Sequence, residues 1–300
     1  MKDIVVENLR KYYGKVKAVD GISFEVEKGE LFAFLGPNGA GKSTTIRVLT
    51  TLSKPTSGRV FVAGHDVVKE EAAVRRKIGL VSDKLILYDK LTVMENLMFF
   101  SQLYGLSKHE IIKRARGVLE ALEMWEWKDE QVWKLSTGMK QKVNVARALI
   151  PKPEVLFLDE PTLGLDPHST RKIREFIKSL HEEGVTIVLT THILHEVEIL
   201  ATKVAIINKG KIVAIDTPRN LKRLFKERET VQVEFEGKDV SIPENVEVLE
   251  KTDGYIKVET SDLKSFLETL SKQKVKILSL KTFEPSLEDI FVELTGGDNQ

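Results

Sequence analysis

The sequence predicts an α/β fold: a mixed sheet with an antiparallel β part at its start, a helical insert, and a small α+β domain behind. Three observations predict it. An apolar strand, Leu31–Leu35, runs straight into a glycine-rich loop and then a helical run. A second apolar strand, residues 155–158, ends in two carboxylates and opens an alternation of helix and strand. Beyond about residue 220 the texture changes to short alternating strands and hairpin turns.

The opening residues read as strands at 4–9, 23–26 and 31–35, with Lys28 and Gly29 turning the chain between the last two. Leu31–Leu35 is apolar on both faces, the pattern of a strand buried in mid-sheet. Residues 59–63 look like a further strand. After Gly79 the period turns helical. Thr92 with Glu95, and Ser107 with Glu110, have the spacing of capping boxes over two helices. The second helix carries Ile111, Ala115, Val118 and Leu122 as one stripe. Residues from about 84 to 135 therefore form a helical insert.

The frame resumes with strand 155–158, helix 167–181, strand 185–190 and helix 195–201. Pro167 in the first turn of its helix and Gly184 beyond its end follow the asymmetry of helix termini. A hairpin joins 204–207 to 211–215 through Asn208, Lys209 and Gly210. Farther on, 231–235 alternates, and Gly237-Lys238 and Asp253-Gly254 signal hairpin turns. A helix at 262–271, a strand at 275–280 and a last helix from Ser286 complete the chain. The expected division is residues 1–220 and a small α+β domain at 221–300.

Composition excludes several functions. Lys and Arg total 46 against 45 Asp and Glu, a formal net charge of +1. No global field draws such a chain to nucleic acid or to an anionic membrane. The 300 residues include no Cys, which excludes disulfides, thiol catalysis and thiolate metal sites. No apolar stretch approaches the roughly 20 residues of a membrane span. Any membrane work is expected to pass through a partner.

Gly36, Pro37, Asn38, Gly39, Ala40, Gly41, Lys42 and Ser43 fit the phosphate-loop pattern G-x-x-x-x-G-K-[ST]. The loop lies where its mechanism needs it, between a buried strand and a helix. Glycines let the backbone curl so that successive N–H groups point at phosphate oxygens, and the helix adds its positive end. Lys42 is expected to bridge the outer phosphates of a nucleoside triphosphate and Ser43 to ligate Mg²⁺, with Thr44 as a further donor. The strand at 155–158 then delivers Asp159 to the Mg²⁺ shell. Glu160, one residue on, is placed to polarise the attacking water.

Leu135, Ser136, Thr137, Gly138 and Met139 open an amphipathic helix carrying Met139, Val143, Ala146 and Leu149 on one side. This run resembles the signature of ATP-binding cassette (ABC) proteins, with Thr137 and Met139 departing from its commonest form. Leu163, Gly164, Leu165 and Asp166 resemble the loop through which paired cassettes communicate, and His192 resembles the switch histidine. Tyr13 resembles the aromatic that stacks on adenine, although Tyr12 is its neighbour. The resemblance spans nearly the whole chain and implies the P-loop NTPase fold of ABC ATPases. On this likeness Ser136 and Gly138 grip the γ-phosphate, His192 contacts that phosphate and Glu160, and Asp166 communicates across the pair. Asp83 stands where the family has a Gln that touches Mg²⁺ and water, so a carboxylate one methylene shorter takes that place.

The resemblance also implies partners. Two copies, or this chain and a paralogous ATPase subunit, would pair head to tail, each ATP lying between one phosphate loop and the other chain's signature. A separate transmembrane permease subunit would carry the substrate, placing the chain in the cytoplasm on the inner face of the cell membrane. The groove for that subunit is expected beside Asp83 and the helical insert. The run from Glu284 to Thr295 resembles the tail of daunorubicin/multidrug-type exporter ATPases. The alternatives are a soluble ABC ATPase of assembly or translation, an ABC head of DNA repair, and a P-loop kinase. Translation-type members of the first usually carry two cassettes, the second is split by coiled coils for which no sustained heptad run appears, and the third leaves the signature and His192 unexplained.

Overall fold

Two long strands open the chain. β1 (Lys2–Tyr13) and β2 (Val16–Glu27) pair antiparallel across a turn at Gly14, whose φ of 57° suits glycine. Both strands run longer than the apolar pattern suggested, because their ends are polar and held by pairing alone. The structure, a computed structural model, describes residues 1–82, 84–224, 229–237, 240–243, 246–273, 275–283 and 287–295. It divides into two units, Met1–Thr217 and Pro218–Gln300.

The first unit continues with β3 (Leu31–Leu35), α1 (Lys42–Leu49), β4 (Ser57–Val62), β5 (His65–Asp66), α2 (Glu71–Lys77) and β6 (Ile78–Val81). Helix α2 carries no readable amphipathic signal, since Val74 is its one buried residue. Then come α3 (Val93–Gln102), α4 (Lys108–Ala121), two short 3₁₀ turns and α5 (Thr137–Leu149). Both expected capping boxes form, each with reciprocal bonds. The buried stripe of α4 is Ile111, Ala115 and Leu119, one residue round from Val118, which is only partly buried. The unit ends with β7 (Val155–Asp159), α6 (Pro167–Glu182), β8 (Thr186–Thr191), α7 (Leu194–Leu200), β9 (Lys203–Asn208) and β10 (Lys211–Asp216).

Its strands form two sheets, ordered β2-β1-β4-β5 and β10-β9-β3-β8-β7-β6. In the second, β9, β3, β8, β7 and β6 run parallel, and β10 is antiparallel at one edge. Strict alternation divides this sheet between two cores. Leu31, Leu156, Leu158, Ile187 and Leu189 face the helices, while Phe32, Phe34, Phe157 and Val188 face the first sheet. Phe24, Phe32 and Phe34 make ring contacts at 5.0–5.4 Å. Every residue of β3, β7 and β8 is buried, so the strand ends that carry polar groups stand on a rigid base.

The second unit holds α8 (Pro218–Leu224), β11 (Glu229–Glu236), β12 (Glu247–Thr252), β13 (Tyr255–Thr260), α9 (Leu263–Ser271), β14 (Lys276–Phe283) and α10 (Leu287–Thr295). Its antiparallel sheet is ordered β12-β13-β11-β14. Val231, Val233, Phe235, Ile256 and Val258 pack with Phe266 and Leu270 of α9 in a core of its own. The expected helix start at Ser286 and the turn residue Lys238 lie outside the described residues.

Candidate functional site

A cleft of about 340 Å³ opens at the carboxyl ends of β3, β7 and β8. Its walls include Pro37, Asn38, Gly39, Ala40, Gly41, Lys42, Ser43 and Thr44 from the loop before α1, Glu160 and Leu163 after β7, and His192 after β8. Parallel sheets place their ligands at this end, where the strand order leaves a crevice. Ala18 of β2 closes another side.

The loop is forced to be glycine-rich at two points. A Cβ on Gly36 would lie 2.3 Å from the Ile207 carbonyl oxygen. Gly41, at φ 112°, would put one 2.5 Å from the Ala18 carbonyl oxygen. Gly36 itself comes directly after buried β3, and Ala40 accepts a backbone bond from Gly210 N–H at 2.9 Å. Helix α1 starts at Lys42 with no side-chain cap, so its first amides are available to an anion.

Lys42 is buried, and its Nζ donates to the Gly36 carbonyl at 2.7 Å and the Pro37 carbonyl at 3.3 Å. The same ammonium lies 3.4 Å from Oε1 of Glu160. His192 Nδ1 stands 2.9 Å from the other carboxylate oxygen of Glu160. Glu160 thus bridges a cation at the start of α1 and an imidazole just after β8. Its φ of 50° is unusual for a residue with a side chain, a conformation that persists only where the surroundings fix it. Here its N–H donates to the Thr190 carbonyl at 3.0 Å.

Ser43 Oγ donates to Asp159 Oδ1 at 3.0 Å, and Thr190 Oγ1 donates to the same oxygen. A hydroxyl and a carboxylate converging in this way are the hard oxygen donors that a small divalent cation prefers. Among the described residues no group of three or more His, Cys, Asp or Glu is arranged to hold a metal ion by itself.

The remaining expected residues lie elsewhere. Ser136 caps α5, accepting from Met139 N–H at 3.3 Å, and is exposed. Gly138 is buried against α6, where a Cβ would meet Ser169 Oγ at 2.3 Å. Neither residue lines the cleft. Asp166 caps α6 through the Ser169 N–H, and the Ser169 hydroxyl bonded to it holds its carboxyl below the usual range. Tyr13 is exposed at the end of β1, with the Lys11 ammonium 4.8 Å from its ring centre. Asp83 lies outside the described residues.

Sequence reasoning missed Ala18, Thr190 and Glu196. Thr190 pairs in register with Asp159, a signal available only once β7 and β8 are known to be neighbours. Glu196 is 1% exposed and bonded to Thr162 in the loop after β7 and to Thr191, the last residue of β8.

The family described as ABC transporter matches residues 19–163, and a DrrA1-3-like ATP-binding protein C-terminal domain matches residues 217–295. The linearmycin resistance ATP-binding protein LnrL of Bacillus subtilis is 39% identical, with 97% of each chain covered. The bacitracin transport ATP-binding protein BcrA of Bacillus licheniformis is 36% identical, covering 98% of this chain and 97% of that protein. Among solved structures, an ATP-binding subunit of an ABC transporter superposes with a TM-score of 0.68 at 31% identity, over 74% of this chain and 92% of the other. A dimeric ATP-binding cassette in a post-hydrolysis state, bound to ADP and Pi, superposes with a TM-score of 0.66 at 28% identity, over 71% and 98%.

Proposed function

Since the chain belongs to the family of ABC transporter ATP-binding proteins and is an ATP hydrolase, we propose that it powers export of a substrate through a separate membrane-spanning subunit. The relatives named for linearmycin, daunorubicin and bacitracin resistance or transport support the export direction. Among the described residues no helix is long and apolar enough to cross a membrane. The membrane step therefore belongs to a partner, and the working position is the cytoplasmic face of the membrane.

One observation carries the catalytic reading: Lys42, Glu160 and His192 meet in the cleft beside the Ser43–Asp159 pair. The triphosphate of ATP takes the Lys42 ammonium away from the Gly36 and Pro37 carbonyls and lies along the uncapped start of α1. Glu160, then freed of its cation, accepts a hydrogen bond from the attacking water and polarises it. His192 holds the carboxylate in place through Nδ1 and presents its other ring nitrogen to the cleft. Ser43 and Asp159 would hold Mg²⁺, which supplies neutralisation of the charge developing on the phosphates. Ser136 and Gly138 of a second copy would complete the site, since in this chain neither lines the cleft.

A groove in the first unit suits the membrane partner. Leu52, Ile86, Phe100, Leu103 and Tyr104 line it together with Arg147, whose buried Nε has no hydrogen-bond partner among the described residues. A short amphipathic helix bearing a carboxylate matches that lining.

Glu160→Gln tests the reading. It keeps the shape of the side chain and removes the base, so ATP turnover falls by at least about 100-fold. ATP binding persists, and an ATP-bound dimer accumulates on size exclusion. Turnover at the wild-type rate would remove Glu160 from the reaction.

A further inference from the structure

Glu196 lies on α7, 1% exposed, and touches none of the residues proposed to meet ATP. A carboxylate buried so deeply needs partners, and it accepts four hydrogen bonds from three residues. Its Oε1 accepts from the Thr162 hydroxyl, and from Arg174 Nε and Nη2 at 3.2 and 3.1 Å. Its Oε2 accepts from Thr191 Oγ1 at 2.9 Å. Thr191 Oγ1 in turn accepts from Ile193 N–H at 3.0 Å.

The positions of these partners matter more than their number. Thr162 follows Glu160 by two residues, and Thr191 immediately precedes His192. Arg174 sits on α6, whose first turn is capped by Asp166. One carboxylate thus ties together the loop after β7, the last residue of β8 and the helix between them. Glu160 and His192, the first residues after β7 and β8, lie only 2.9 Å apart. A contact of that length survives only while the loops keep their spacing.

We propose that Glu196 is a positioning residue for ATP hydrolysis, its carboxylate fixing the separation of the loops that carry Glu160 and His192. The inference rests on the reading of Glu160 and His192 as the reacting pair. A bland ion pair with Arg174 would hold α6 to α7 and leave the threonine hydroxyls without a task. In the structure both hydroxyls are aimed at the carboxylate. Thr191→Val separates the two roles, because it keeps the Arg174–Glu196 pair and releases the His192 loop.

The test measures ATP turnover, affinity for a fluorescent ATP analogue and melting temperature in the full chain. The variants are Glu196→Gln, Glu196→Ala and Thr191→Val, with His192→Ala as reference. Glu196→Gln and Thr191→Val are expected to lower kcat by about 10- to 100-fold, the scale of a displaced catalytic group. Nucleotide affinity should stay within about threefold, since the phosphate loop is untouched. Adding Thr191→Val to Glu196→Ala should cost nothing further. Wild-type kcat in Glu196→Gln and Thr191→Val, with His192→Ala inactive, overturns the positioning role and leaves the site reading intact. A kcat loss that only follows the folded fraction also overturns it. Full turnover in His192→Ala would bring down the site reading and this proposal together.

Discussion

Tyr12 and Tyr13 stand side by side at the end of β1 and meet different surroundings. The Tyr12 hydroxyl bonds Asp20 at 2.5 Å, which pushes the phenol up and holds the Asp20 carboxyl below its usual range. Tyr13 is 45% exposed, its ring approached among the described residues by the Lys11 ammonium at 4.8 Å. Alternation along a strand sends neighbours to opposite faces, so only one of the two can meet a base. Tyr13→Ala should weaken ATP binding by about fivefold, the worth of one stacked ring, while Tyr12→Phe leaves affinity unchanged. Equal effects in a nucleotide titration would dismiss the stacking role. At this scale the sequence was informative wherever chemistry depends on residue type at fixed spacing, as for Lys42 and Ser43 or Asp159 and Glu160. It was silent on Thr190 and Glu196, because Asp159 and Thr162, to which they bond, lie 31 and 34 residues away and depend on which strands become neighbours. Nor could it show the left-handed backbone of Glu160, which tertiary contacts impose.

Helices α3 and α4 were legible because their ends carry local signals: Thr92 with Glu95 and Ser107 with Glu110 act within one turn. The path between β6 and α3 was not. Asn96, fully buried on α3, organises it by accepting from Tyr88 N–H at 2.8 Å and donating to the carbonyls of Tyr88 and Thr92 at 3.1 and 2.9 Å. A buried amide serving a loop resembles any other Asn in a sequence. These two residues should differ in what they stabilise. Thr92→Ala loses one exposed cap and should cost about 1 kcal/mol. Asn96→Ala empties a fully buried position and leaves the part-buried Tyr88 N–H without its acceptor, and should cost more, about 2–3 kcal/mol. Denaturant melts of the two variants give the order directly, and a Thr92 variant less stable than the Asn96 variant would contradict the burial argument. Helix α5 shows the limit of reading one face. Gln141, Lys142 and Asn144 are buried alongside Val143 and Ala146, so the helix is enclosed nearly all round. Gln141 uses that position to bond the Pro161 carbonyl at 2.8 Å, next to Glu160.

On the scale of the assembled molecule, the proposed site is incomplete in one chain. Ser136 lies at the exposed start of α5, and the cleft that holds Lys42 does not include it. If the γ-phosphate needs both, the second must come from another copy, and a two-fold pair supplies both sites at once. That arrangement predicts complementation between two dead chains. Lys42→Ala removes the phosphate-binding ammonium. Ser136→Asp keeps an acceptor for the Met139 N–H, so the helix stays capped, but sets a negative charge where phosphate would arrive. Each variant alone forms pairs in which both composite sites are damaged. In an equal mixture half the pairs are mixed, and each mixed pair combines an intact phosphate loop from the Ser136→Asp chain with an intact Ser136 from the Lys42→Ala chain. Turnover should therefore return to about a quarter of the wild-type value on random pairing. Mixing with no recovery, although mixed pairs are seen by mass spectrometry, would place both elements in the service of one chain's own ATP. The same titration reads the direction of the effect, because recovery must rise and fall with the fraction of mixed pairs and peak at equal amounts.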